Sequence, residues 1–117
     1  DATENYFWIT AFNITSVPGE GTDKQLALAK LFDRDEKAAN SHNYAAGIMV
    51  AQVVTETIKR AKAAGLEINK ANLYNTLNKM NGANAYKPYS TSGPVTYSKT
   101  DRAGVDLLHA GRDEGQP

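Results

Sequence analysis

Cysteine is absent from the 117 residues. That excludes a disulfide framework, a thiolate metal site and a cysteine nucleophile. It permits an oxidising compartment without requiring one. Net charge is absent too, with Lys+Arg and Asp+Glu at 13 each. A protein that tracks phosphates usually carries a basic excess, so nucleic acid is not an expected partner. No apolar run approaches the roughly 20 residues of a membrane-spanning helix. No charged start followed by an apolar stretch is present, so no signal peptide is read here. The first residue is Asp1 rather than Met, which predicts a processed or trimmed product.

Bulky aliphatic side chains are also scarce. Hydrophobic residues make up 41% of the chain, but 17 residues are Ala and 6 are Tyr. A domain of this length should bury roughly 65% of the surface of its unfolded chain. Few side chains are available for that. The composition therefore predicts a modestly stable domain or one that packs against something else.

What is present reads as strand, three helices and two more strands. Tyr6 to Thr15 is aromatic and β-branched, with apolar groups on both alternating faces, as in a strand buried on both sides. Three consecutive aromatics imply a covering partner. Ser16 to Gly21 is a loop. Thr22 and Gln25 have capping-box spacing for a helix with Leu28, Leu31 and Phe32 as its stripe, ending near Arg34 to Lys37. The longest helix runs from Asn43 to Ala64 and stops at Gly65. Tyr44, Ile48, Ala51, Thr55 and Ile58 form its stripe, broadened by Val50, Val54 and Ala61. Glu56 and Arg60 make an i,i+4 pair on its other side. Ala45, Ala46 and Gly47 permit close approach of a backbone or ligand. Asn69 caps a third helix, with Ile68 and Leu73 as a staple and Leu73, Leu77 and Met80 buried. Gly82 ends it. Asn81 to Pro94 is turn-rich. Val95 to Tyr97 and Val105 to Ala110 read as short strands, separated by a polar turn.

Few residues carry chemistry. His42 and His109 lie far apart with no ligand spacing around them, so no metal is expected. Ser90 and Ser92 lack a nucleophile elbow. Asp33, Asp35 and Glu36 read as a solvated helix end, and Gly19-Glu20-Gly21 is too short to be a phosphate loop. Asn13-Ile14-Thr15 matches a glycosylation sequon by chance within a strand. No enzyme activity and no cofactor are expected. Two places stand out. Asn40 to Tyr44 opens the long helix, where free N–H groups suit a small polar ligand or a simple cap at Ser41 or Asn43. Ser98 to Gly104 holds Asp101 and Arg102, which read as a solvated turn, a hinge ion pair or a ligand contact.

The order of these segments resembles the C-terminal third of type I periplasmic solute-binding proteins, in particular the branched-chain amino acid (Leu/Ile/Val) binding family of ABC importers. The carriers are Tyr6 to Thr10, then Asn43-Tyr44-Ala45-Ala46-Gly47, Leu73 with Leu77, Gly93-Pro94-Val95-Thr96-Tyr97, Asp101 with Gly104, and Glu114-Gly115. The resemblance implies an α/β chain, a part of a protein with two Rossmann-like lobes and hinge crossovers. Residues 1–117 would form a single C-terminal piece. The helices of about 22–82 would belong mostly to the first lobe, flanked by crossover strands at about 5–15 and 94–110. The implied function is the periplasmic or extracellular solute-binding component of an importer, at the cell surface where such a protein is a lipoprotein. The implied partners are a small amino acid or aromatic acid, the remainder of the same chain and a membrane permease. The implied ligand contacts are Asn43 and Tyr44, with Phe12 and Arg102 at the crossovers. Ala39 and Asn40 stand where branched-chain binders often carry an aromatic residue, a departure that speaks against an aliphatic amino acid. The alternatives are a ligand-sensing receptor ectodomain of the same fold and a free-standing α/β interaction domain.

Overall fold

The computed structural model describes residues 7–13, 15, 17–105 and 109–112, with only the backbone considered for 7–9 and 109–112. Strand β1 is Phe7–Thr10. Helices follow at α1 (Glu20–Leu31), α2 (Glu36–Ala39), α3 (His42–Ala63) and α4 (Lys70–Leu77), then a 3-10 turn at Gly82–Asn84. Three short strands close the order: β2 (Val95–Thr96), β3 (Gly104–Val105) and β4 (His109–Arg112). The expectations for Tyr6, Ile14, Ser16, residues 106–108 and Glu114-Gly115 lie outside the described residues, as do those for the side chains of Phe7, Trp8, Ile9 and His109.

The strands form two separate antiparallel pairs. β1 pairs with β4 in a register running from Phe7 opposite Arg112 to Thr10 opposite His109, so the two ends of the described chain lie side by side. β2 pairs with β3. The single last strand expected from Val105 to Ala110 is therefore two strands with different partners. Beyond β1 the backbone meets a segment read only as turns. Asn13 N–H donates to the Ser90 carbonyl at 2.9 Å, and Ser92 N–H donates to the Ala11 carbonyl at 3.0 Å. Pairing across so much sequence leaves no local signature, which is why it was not legible.

Caps explain most helix ends. Ser41 Oγ accepts from Tyr44 N–H at 3.0 Å and starts α3. Asn69 Oδ1 accepts from Asn72 N–H at 3.0 Å and starts α4, as expected. α3 ends where Gly65 takes φ 68°, with Leu66 N–H donating to the Ala61 carbonyl at 3.0 Å. That is the Schellman geometry glycine favours.

α1 departs from the sequence reading. It starts at Glu20, two residues before the expected capping box. The Thr22 hydroxyl donates to the Val17 carbonyl at 2.7 Å, and buried Gln25 donates through Nε2 to the Ala39 carbonyl at 2.7 Å. Both side chains are committed to tertiary partners instead of a cap. A side chain at Gly21 would run into the Tyr89 carbonyl and the Asn13 amide, so this first turn packs directly on the 89–92 segment. The helix stops at Leu31, and the run expected to extend it is broken before α2.

The core lies where α3 meets α4 and β2. Val53, Met80 and Val95 are buried together, with Met49, Leu77, Tyr86, Tyr97 and Val105 packed around them. The expected α3 stripe holds at Ile48 and Ala61 and is corrected elsewhere. The inward face runs through Ala45, Ile48, Val53, Thr57 and Ala61. Ala51 and Thr55 are exposed, and Val50 and Val54 are 56% and 52% exposed. α3 is apolar around so much of its circumference that periodicity cannot say which part faces inward. Leu31 and Phe32, expected to be inward on α1, are likewise exposed, while Ala29 is buried.

The expected thinness of the core is evident. Of the eight buried apolar residues among those described, four are alanine. The chain exposes 7982 Å² of surface, against about 6,200 Å² for a globular monomer of this mass. Its radius of gyration is 16.5 Å, against about 13 Å for a compact domain of this length.

Met80 and Val50 separate the covered face of α3 from the open one. Met80→Ala should cost about 2–5 kcal/mol through the cavity it leaves. Val50→Ala should stay within about 0.5 kcal/mol. Amide hydrogen exchange along α3 checks both: the first variant should strip its slow exchange and the second should leave it.

Candidate functional site

The part of the stripe left out of the core lines a groove, with buried Ile48 at its edge. One wall is α1 with Leu28 and Phe32, followed by Arg34. The other is the α3 side that carries Tyr44, Ile48, Ala51, Thr55 and Lys59. Tyr86 and Tyr89 close it from the turn segment. The groove has a volume of about 610 Å³, within the usual range for small-molecule sites.

The end of α1 positions the rim. Asp33 adopts φ 55°, in the left-handed region. Asp33 N–H then donates to the Lys30 carbonyl at 3.2 Å and Arg34 N–H to the Ala29 carbonyl at 2.8 Å. This is the same terminator as at Gly65, built with an aspartate. It fixes the backbone of Arg34 beside Phe32 at the groove mouth. Because the turn uses Asp instead of Gly, it did not announce itself in the sequence.

Gln52 organises the floor. Buried Ser90 donates through Oγ to Gln52 Oε1 at 3.3 Å, and Gln52 Nε2 lies 3.5 Å from the Tyr86 hydroxyl. Ser90 thus serves to orient an amide. Burial raises the pKa of Tyr86, with a further contribution from the Glu56 carboxylate. Burial also raises Tyr89, and the nearby Tyr44 and Tyr86 phenols push in the same direction. Three phenols therefore converge on one site. Glu56 is engaged by Arg60 at 2.7 Å. Among the described residues, no side-chain partner holds Arg34 or Lys59.

The residues singled out in the sequence divide. Asn43 and Tyr44 line the groove. Phe12 makes an isolated bridge with Thr91 and is outside the lining. Arg102 lies against α4, donating to the Tyr74 hydroxyl at 2.7 Å with its guanidinium 5.0 Å from the ring centre. His42 is an exposed residue at the start of α3, and no group of three metal-ligating side chains occurs among the described residues. Arg34, Gln52, Tyr86 and Tyr89 were not anticipated. The two tyrosines flank Pro88, and their loop setting hid them.

Neither a scan against protein-family models nor a search of curated proteins finds a match. A search of solved structures finds a branched-chain amino acid ABC transporter protein from Thermus thermophilus, crystallised with bound valine. The TM-score is 0.79 at 27% identity, over 93% of this chain and 30% of that one. The chain carries part of the type I periplasmic binding-protein fold. It resembles the branched-chain amino acid group within that fold, and it is α/β as expected. The type I chain from Thermus extends well beyond the matched region, which is consistent with the thin core and the excess surface described above.

The phenols give a titration prediction. Hydrogen bonding by Arg102 lowers the pKa of exposed Tyr74. A phenol with a raised pKa favours the folded state below its ordinary value near 10, and that contribution is lost as pH rises through the higher folded value. Absorbance titration should therefore show Tyr74 ionising first and Tyr86 and Tyr89 later, with alkaline loss of structure following the later step. Arg102→Ala should move the first transition upward and leave the others in place. An unmoved first transition contradicts the assignment.

Proposed function

We propose that this chain is the C-terminal part of a periplasmic or extracellular solute-binding protein of an ABC importer. The structural likeness to the Thermus protein supports it, because that protein belongs to such a transporter and holds a small solute. Within the proposal, α1 to α4 belong mostly to the first lobe. The stretches at about 5–15 and 94–110 are crossovers between lobes. The pairing of β1 with β4 supports this, since it brings both ends of the piece to one place.

In this reading the solute sits at the mouth of the groove, where Asn43 and Tyr44 open α3. Ser41 occupies the Tyr44 N–H, so Asn43 offers its amide and Tyr44 its ring and hydroxyl. Phe12 and Arg102 act at the crossovers and not in the groove. The remaining chain of the protein covers the part of α3 bearing Val50 and Val54, which adjoins the groove's edge at Asn43 and Gly47. Closure of the lobes around solute then presents one surface to a membrane permease.

The test uses the full-length protein. A thermal-shift panel of amino acids and aromatic acids identifies a stabilising solute. Asn43→Ala and Tyr44→Phe should each weaken its binding about tenfold or more, about 1.4 kcal/mol. Unchanged affinity in both variants contradicts the assignment of the groove.

A further inference from the structure

Asn81 and Gly82 form the chain's one Asn-Gly step. We infer that this step is a site of spontaneous modification, and that loss of the Asn81 amide there unlocks the junction between α4 and β2. The inference is independent of the solute-binding reading above.

The chemistry needs only the chain and water. The Gly82 nitrogen, having given its proton to solvent, attacks Asn81 Cγ. A new N–C bond closes a five-membered imide. The Cγ–Nδ2 bond breaks, and the nitrogen leaves as ammonia after taking up a proton. Water then opens the ring at either carbonyl. One opening gives aspartate, the other an isoaspartate whose backbone runs through Cβ. Gly82 has no Cβ to obstruct the attack, and the space where one would stand is open. Every other asparagine of the chain is followed by a residue with a side chain. Asn81 and Gly82 are both exposed to water. Among the described residues no acceptor holds the Gly82 N–H.

What the fold adds is a lock. Asn81 precedes the 3-10 turn, but its side chain does not cap it. Its Nδ2 instead donates to the Asn78 carbonyl and to the Tyr97 carbonyl, both at 2.9 Å. Tyr97 N–H in turn donates to the Met80 carbonyl at 2.7 Å. Asn81 therefore ties the end of α4 to the residue after β2, beside fully buried Met80. Its ψ of 169° holds Cβ out of the eclipsed arrangement with the Gly82 nitrogen that ring closure needs. Attack thus proceeds from molecules in which the junction has opened. After conversion the side chain is a carboxylate, which has acceptors and no donor. Facing two carbonyls, it leaves both without their proton and the junction does not close as before.

Warm incubation of the full-length protein in neutral buffer, read by peptide mass spectrometry with isoaspartate detection, tests this. Asn81 should convert before every other asparagine of these residues, including Asn40, which precedes Ser41. Unfolding in urea should speed its conversion about tenfold or more, because the bonds that hold the amide are then gone. Amide hydrogen exchange at Tyr97 should be faster in the converted fraction and in Asn81→Asp. Asn84→Asp, an exposed change in the same turn, should leave that exchange unchanged. Another asparagine converting first overturns the modification site. Equal rates in the folded chain and in urea overturn the lock. Unchanged Tyr97 exchange in both the converted fraction and Asn81→Asp overturns the unlocking.

Discussion

α3 is covered over only part of its surface, and the rest of the structure follows from that. Its inward side holds the contact among Val53, Met80 and Val95 that joins α3 to the turn after α4 and to β2. A second side forms the groove wall. Val50 and Val54, beside that wall, face solvent. A 22-residue helix with this much apolar surface is stable only where tertiary contacts cover it. Four alanines among eight buried apolar residues supply little of that cover. The surface excess, the extended dimensions of 55 × 33 × 20 Å and the short unjoined strand pairs all express the same shortage. The match over 30% of a longer chain offers a physical source for what is missing.

Legibility in the sequence followed how local each determinant was. The Gly65 terminator and the Asn69 cap were readable because each acts within one turn of its helix. So was the Glu56–Arg60 pair, which sits at i,i+4. The inward face of α3 was only partly readable, because Tyr44, Ala51 and Thr55 continue the helical period of buried Ile48 as well as the other core residues do. Thr22 and Gln25 looked like a capping box, but Val17 and Ala39 claimed their side chains. The pairing of residues 11–13 with 90–92 was hidden by its range. Composition left two readings open, modest stability or packing against something else, while the ordered segments carried the resemblance that the Thermus structure bears out.

The site divides along the same line. Asn43 and Tyr44 were found because a helix start is a local feature. Arg34 reaches the groove through a left-handed Asp33, a conformation aspartate tolerates without advertising it as glycine would. Gln52 gains its role from buried Ser90, thirty-eight residues away. Tyr86 and Tyr89 sit in a turn whose burial depends on α1 and on the strand-like pairing beyond β1. Each of these contributions exists only once the elements are assembled. The groove is thus a product of packing around α3, and its chemistry depends on which side of that helix remains open.

The central claim is that these 117 residues are part of a larger fold. Scanning calorimetry of the isolated chain tests it most directly. A complete domain of this length absorbs about 80 kcal/mol in one two-state transition. The account predicts a broad transition with well under that enthalpy. A monomer that unfolds in a single sharp transition with the full enthalpy would contradict it.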